Sequence, residues 1–399
     1  MLMCFSAGII GCLAFLQKRS LVGEALSHAT YPGVVISVVF AALFFPFSED
    51  GAAFTILVGA LLSGLLGQLA INQLEKRFKI SSDSALCMVL SIFFGVGVLV
   101  ASRLQVTHAL WFRQSQVFLF GQAATMVDSH IYFYGAFALA VVFTISMLFR
   151  YVEILYFDPD FAKAVGMKTS FIHGVIHILL VIAIVVGMRS VGVVLMSGML
   201  IAPAIAARSW TTKFSSFLIC AALMGMVSGF IGNALSIWIP RWAGQPNLPL
   251  ATGPMIILSA TAICFFSLLF APQKGYVTKL LRITRFRGRC KEENMLKALY
   301  KGDKYSANGS TIWQLKMKGL VENGELTQKG KDEAEKLIRL HRLWEVYLVY
   351  MGQGIERVHA SAEEMEHILT PEIEKQLLYL LDHPEFDPHS KPIPKREGK

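Results

Sequence analysis

At 399 residues and 54% hydrophobic, the chain is long enough for two domains and too apolar for two soluble ones. Its formal charge of +9 sits mostly in Lys and Arg beside apolar segments, so membrane topology explains it without a nucleic-acid partner. Six cysteines with no C-x-x-C pair exclude a disulfide framework and a cysteine-rich zinc site.

A membrane span takes about 20 mostly apolar residues. Windows near 1–17, 25–47, 53–74, 84–101, 130–149, 170–188, 190–207, 214–239 and 249–271 qualify. They predict an all-α polytopic membrane domain of eight or nine transmembrane helices over residues 1–272. The first window is short and lacks the basic start and cleavage site of a signal peptide. It reads as a real helix, with truncation one reading of its shortness. Residues 112–125 are amphipathic and read as an outer-face loop segment. Lys18/Arg19, Lys76/Arg77/Lys79, Arg150/Lys163/Lys168 and Arg208/Lys213 fall on alternate loops, as does the cluster from Lys274 to Lys291. That asymmetry places the basic loops and everything after residue 272 in the cytoplasm.

In "LVGEALSHATYPG", Glu24 and His28 are spaced i, i+4 and share one helix face. A carboxylate with an imidazole suits Mn²⁺, Fe²⁺ or Zn²⁺, whereas Mg²⁺ or Ca²⁺ prefers oxygen alone. Ionisable groups at the start of a span are functional candidates, the bland alternative being ordinary interfacial solvation. Asp158 and Asp160 stand at a helix start, where the dipole favours them, and Gly166 stands at its end. His173 and His177 repeat the i, i+4 spacing near a span end, either as packing or as the lining of an exit route. No stretch reads G-x-x-x-x-G-K-[ST], so ATP-driven transport would need a nucleotide-binding subunit on another chain.

Residues 273–290 form a basic linker. Beyond it, helical periodicity recurs over 291–301, 310–319, 328–350, 361–369 and 371–382. "KGLVENGELTQKGKDEAEKL" reads as a helix end, two short strands around Asn323-Gly324, and a capped helix from about Thr327. Helix, two-stranded wing and helix make a shortened winged-helix-like domain over 291–335, followed by a helical domain over 336–399. His341 and Glu345 share a face at i, i+4. His359, Glu363, Glu366 and His367 share another at i, i+4, i+7 and i+8. An apolar stripe usually occupies such a pattern, and the plain alternative is a solvated acidic face with scattered histidines.

Four ordered stretches resemble the zinc/manganese/iron permeases of ABC importers: "GEALSHATYPG", "FDPDFAKAVGM", "VGVVLMSGMLIAPAIAAR" and "LPLATGPMIILSA…LLFAPQKG". The resemblance implies that Glu24 and His28 are ligands of a transient metal site on the translocation path, with Glu where the family has Asp. It implies that Asp158, Phe161, Ala162 and Gly166 belong to a short helix docking on an ATP-binding cassette subunit. It also implies an extracytoplasmic metal-binding protein, a second permease subunit (identical or related) and a bacterial inner-membrane location.

The segment "HRLWEVYLV…VHASAEEMEHILTPEIEKQLLYLLDHP…DPHSKPIP" resembles the metal-binding and dimerisation domain of iron-dependent repressors of the diphtheria-toxin-repressor type and their manganese-responsive relatives. By that resemblance His341, Glu345 and His359 are ligands of one site, and Glu363, Glu366 and His367 of another. Glu at 363 leans towards Mn²⁺. The expected ligand on the preceding helix is replaced by Asn294, with Lys297 one turn on. The stretch between Tyr300 and Leu320 is too short for the usual two helices, leaving "NGSTIWQLKMKGL" as recognition helix with Lys316 and Lys318 as candidate phosphate contacts to operator DNA.

The leading expectation is the permease subunit of an importer for divalent manganese or iron, with zinc less favoured, fused to a cytosolic metal sensor. The alternative is a membrane-anchored or proteolytically released metal-dependent transcriptional repressor with a vestigial permease. An intramembrane metalloprotease would want H-E-x-x-H in a span, and none occurs.

Overall fold

Within lipid, a long apolar run satisfies its backbone hydrogen bonds only internally, and every element among the described residues of the N-terminal part is accordingly a helix. The computed structural model describes residues 1–19, 21–44, 49–121, 128–244, 250–302, 309–322 and 324–394. Chain contacts divide it into two units, Met1–Thr278 and Lys279–Lys399.

The first unit contains α1 (Leu2–Leu16), α2 (Val22–Phe44), α3 (Glu49–Lys76), α4 (Ser82–Thr107), α5 (Ala109–Phe120), α6 (Asp128–Phe157), α7 (Pro159–Ala164), α8 (Thr169–Gly187), α9 (Val193–Trp210), α10 (Phe214–Trp242) and α11 (Thr252–Phe270). Among the described residues seven helices are long and apolar enough to cross a membrane: α3, α4, α6, α8, α9, α10 and α11. α2 is also of spanning length, its 23 residues rising about 35 Å. On α6, Leu139, Phe143 and Met147 are 73%, 71% and 73% exposed. An exposed apolar stripe at i, i+4, i+8 inverts the pattern of a water-soluble helix, and lipid is the solvent that accepts it.

The short α1 is nearly all core, with Met3, Cys4 and every residue from Ser6 to Ala14 buried. It packs on α9 and α10. Gly11 makes that approach possible, because a Cβ there would lie 1.9 Å from the Leu200 carbonyl oxygen. Residues 109–120, expected as part of a loop segment, form α5 instead. Its Trp111 stacks on His108 with ring centroids 4.1 Å apart, and the buried Leu119 joins Tyr31 and Leu104 in a side cluster. The amphipathic pattern therefore marked a helix lying on α2 and α4, with an apolar edge to bury.

The second unit contains most of α12 (Tyr276–Lys301), then α13 (Gly309–Met317), β1 (Val321–Glu322), β2 (Glu325–Leu326), α14 (Gln328–Tyr350), α15 (Ile355–Met365) and α16 (Pro371–Leu380). The basic stretch expected as linker continues helically into the 291–301 segment, so 276–301 is one helix. Its Lys, Arg and Leu residues are good helix formers. The expected hairpin is present, pairing Val321 with Leu326 and Glu322 with Glu325; Asn323 lies outside the described residues. Met295, Leu296, Leu315, Leu320, Val321 and Ala334 form a small core beneath it.

Thr327 caps α14, its hydroxyl accepting from the Gly330 amide at 3.2 Å. Thr327→Ala is expected to destabilise this unit by about 1 kcal/mol, read as a lower thermal midpoint of the purified chain.

Candidate metal centres

α14 carries His341 and Glu345 one turn apart, and α15 brings His359 against them. His341 Nε2 lies 3.0 Å from His359 Nδ1 and 3.2 Å from Glu345 Oε1, and His359 Nδ1 lies 2.7 Å from that same oxygen. These atoms form a nearly equilateral triangle. Donors about 2.1 Å from one ion and at right angles to each other stand about 3.0 Å apart, whereas tetrahedral donors stand about 3.4 Å apart. The observed edges lie near both spacings, and the donor set, two histidines and one carboxylate, is of the kind that suits Fe²⁺ and Mn²⁺. Glu345 and His341 are buried, whereas the His359 side chain is 61% exposed, so the triangle opens to solvent on that side.

The surrounding groups fix this arrangement. His341 Nδ1 lies 2.6 Å from Glu366 Oε2, which holds the ring and turns Nε2 towards the other two donors. Burial alone would raise the Glu345 carboxyl, but the hydrogen bonds from His341 and His359 outweigh it and bring the carboxyl down to about 2. His341 moves the other way: burial lowers it, and the bonds to Glu345 and Glu366 more than reverse that and raise it. A raised His341 favours the protonated ring, so an ion at this donor competes with a proton.

The second expected group does not assemble as a triangle. Glu366 is buried with His341 on one oxygen and the Lys297 ammonium on the other, at 2.5 Å. Burial raises Glu366, and His341 and Lys297 together pull it below the usual carboxylate range. His367 Nδ1 lies 2.6 Å from Glu293 Oε2, and Glu293 is held in turn by Arg289 at 3.1 Å. His367 Nε2 is 3.6 Å from Glu366 Oε1. Glu363 is exposed and outside both groupings. The Asn294 amide oxygen is buried without a hydrogen-bond partner, while its neighbour Glu293 reaches His367. The sequence signal for these missed residues is the row Arg289, Glu293, Lys297, spaced four apart along one face of α12.

In the first unit, Glu24 and His28 lie on the half-buried face of α2 while Ala25, Leu26, Ser27 and Ala29 between and after them are buried. The His28 ring meets Phe94 of α4 edge-on at 4.5 Å, and its Nδ1 is buried without a hydrogen-bond partner. An ionisable pair is thus held between helices rather than towards bulk solvent. Among the described residues, His341, Glu345 and His359 are the three ligand-type side chains whose donor atoms all lie within 4.8 Å of one another.

Asp158 caps α7, its carboxylate accepting from the Phe161 amide at 3.0 Å. Phe161 is 51% exposed and Ala162 is buried. Gly166 adopts φ +75°, the left-handed turn that ends such a helix. Lys318 is engaged by Glu292 within its own unit, whereas Lys316 is exposed on α13.

Residues 1–271 match the family described as ABC 3 transport family. The chain belongs to that family. Residues 327–395 match the metal-binding and dimerisation domain of the iron-dependent repressors, the region that holds the donor triangle. A probable metal transport system membrane protein of Chlamydia trachomatis is 33% identical, over 100% of this chain and 95% of its own length. The manganese transport system membrane protein MntC of Bacillus subtilis is 32% identical over 94% of this chain and 88% of its own. The zinc transport system membrane protein TroC of Treponema pallidum is 34% identical over 70% of this chain and 89% of its own. A solved structure, PsaBC from Streptococcus pneumoniae in complex with Fab, superposes with a TM-score of 0.56 at 26% identity, covering 69% of this chain and 90% of that one. This ABC 3 chain thus carries a repressor-type metal-binding domain beyond its membrane unit.

Proposed function

We propose that the chain is the permease subunit of an ATP-driven importer for divalent transition metals, with a metal-sensing domain attached. The observation that carries this reading is the His341–Glu345–His359 triangle on the same chain as an ABC 3 membrane unit. The cargo is Mn²⁺ or Fe²⁺ ahead of Zn²⁺, because the triangle pairs its imidazoles with a hard carboxylate. In this scheme residues 1–272 are the permease, 273–290 a basic linker, 291–335 the shortened winged-helix-like domain and 336–399 the metal-binding and dimerisation domain.

Glu24 and His28 hold the cargo transiently on α2. Asp158, Phe161 and Gly166 form the surface for a separate ATPase subunit, with Phe161 as its exposed apolar contact and Ala162 packed beneath. An extracytoplasmic metal-binding protein delivers the ion, and a second permease subunit completes the pathway. The basic loops put α7 and the C-terminal unit in the cytoplasm of a bacterium, with the chain in the inner membrane. Occupancy of the triangle then reports internal metal to the permease or to operator DNA. With Lys318 engaged by Glu292, Lys316 is the phosphate contact left on α13 for the DNA branch.

Uptake of radiolabelled Mn²⁺ by cells expressing the complete importer tests the permease. Glu24→Ala and His28→Ala are each expected to lower uptake roughly tenfold or more at unchanged protein level. Wild-type uptake in both would remove Glu24 and His28 from the pathway. Promoter binding by the purified chain, with and without Mn²⁺, separates a repressor from a sensor that acts on the permease alone.

A further inference from the structure

At the end of the first unit that bears Lys18, Arg19, Lys76 and Lys168, a cavity of about 720 Å³ opens between the ends of α1, α3 and α6 and the start of α8. It is separate from the Glu24–His28 pair, neither of which lines it. α8 contributes His173 and His177, their rings 6.4 Å apart and within 27° of parallel. α3 contributes Asn72 and Glu75. His177 Nε2 is buried without a hydrogen-bond partner, a state that native side chains rarely keep unless something else binds there.

Glu75 is held from outside the helices. Arg19, in the short connection between α1 and α2, pairs with it: Nη2 donates to Oε2 at 3.1 Å and Nη1 lies 3.0 Å from Oε1, which is buried without a hydrogen-bond partner. A connection residue can swing away without disturbing a helix. The same wall is closed lower down by Gln17, whose amide donates to the Tyr156 hydroxyl at 2.9 Å.

We propose that Glu75, His173 and His177 form a second divalent-cation site, a release site at the basic end of the bundle, and that Arg19 is its lock. With Arg19 on Glu75, a protein cation stands in for the metal and the two imidazoles are left without their carboxylate. With Arg19 displaced, a carboxylate and two imidazoles line one cavity, the donor chemistry of Mn²⁺, Fe²⁺ or Zn²⁺. Lys18 and Lys76 also line it, so a bound cation meets repulsion that favours release over storage. The end is the one that carries α7, whose Asp158 cap and exposed Phe161 belong to the ATPase-facing surface. The role of release, though not the site, rests on the reading of this chain as a metal permease.

Equilibrium dialysis of the purified full chain in detergent against ⁶⁵Zn²⁺ counts the sites without requiring transport. His173→Ala/His177→Ala and Glu75→Gln are each expected to lose one bound ion that Glu24→Ala/His28→Ala and His341→Ala/His359→Ala retain. Arg19→Ala is expected to tighten that ion about tenfold, because a lock closed nine-tenths of the time lowers apparent affinity by that factor. The thermal midpoint of Glu75→Gln, which keeps the shape of the side chain, checks that the fold survives. If the histidine and Glu75 variants keep the full wild-type complement of ions, the site is overturned. If they lose the ion but the complete importer still takes up metal at the wild-type rate, the release role is overturned. An unchanged ion count in Glu24→Ala/His28→Ala alone would instead fault the pair on α2 and leave this site standing.

Discussion

His341→Ala is expected to abolish Mn²⁺ binding at the C-terminal triangle, weakening it by roughly a hundredfold or more in an isothermal titration of the purified chain. Nε2 is one of the three donors grouped there, and Glu366, the carboxylate next to that ring, is already held by Lys297. Glu345→Ala should act as strongly, because its Oε1 is the carboxylate donor of the triangle and its side chain is only 2% exposed. His359→Ala should cost less than either, since its side chain is largely exposed and water can take its place. Glu363→Ala is the contrasting control. The sequence pattern places Glu363 among ligands, whereas the structure leaves it in solvent outside both groupings, so its removal should leave the titration unchanged. A large loss with Glu363→Ala and none with Glu345→Ala would reverse the assignment of the site.

The elements were legible where local pattern decides them. The nine apolar windows match α1–α4, α6 and α8–α11, because a span needs length and apolarity and little else. Thr327 was readable as a cap, and α14 begins one residue later, because capping is a three-residue matter of hydroxyl and amide. His341 and Glu345 were readable as one face, because i, i+4 spacing is geometry. Contacts between distant segments were not legible. Nothing near Glu366 in sequence announces Lys297, which lies 69 residues away, and nothing near Glu75 announces Arg19, 56 residues away. Helical spacing put His359, Glu363, Glu366 and His367 on one face, yet α15 ends at Met365. Past that end Glu366 and His367 turn to different partners, and the helical spacing no longer applies. In both units a carboxylate that could take a metal is held by a basic side chain from elsewhere, which a pattern search along one helix cannot reveal.

Lys297→Met tests that substitution of a protein cation for a metal. Lys297 and Glu366 are 10% and 0% exposed, so removing the ammonium leaves a buried carboxylate with only the imidazoles of His341 and His367 beside it. Breaking a buried pair in this way costs about 3–5 kcal/mol, and for a unit of this size that lowers the thermal midpoint by roughly 10 °C. Methionine keeps the length of the side chain, so cavity formation contributes little. The variant also frees Glu366 Oε1, which stands 3.6 Å from His367 Nε2, with Glu293 on the far nitrogen of the same ring. Glu366 and His367 are two of the three residues that the resemblance grouped as a second site, with Glu293 in place of Glu363. Mn²⁺ should therefore raise the midpoint of Lys297→Met more than that of the wild type. A free ion at a hundred times its dissociation constant adds about 2.7 kcal/mol for each extra site filled. Adding Glu366→Gln to Lys297→Met should recover much of the stability without metal, since a neutral amide no longer needs a cation, and should remove the extra response to Mn²⁺. If Lys297→Met melts with the wild type and responds to Mn²⁺ no more than it does, the ammonium is neither holding Glu366 in place nor filling a metal position.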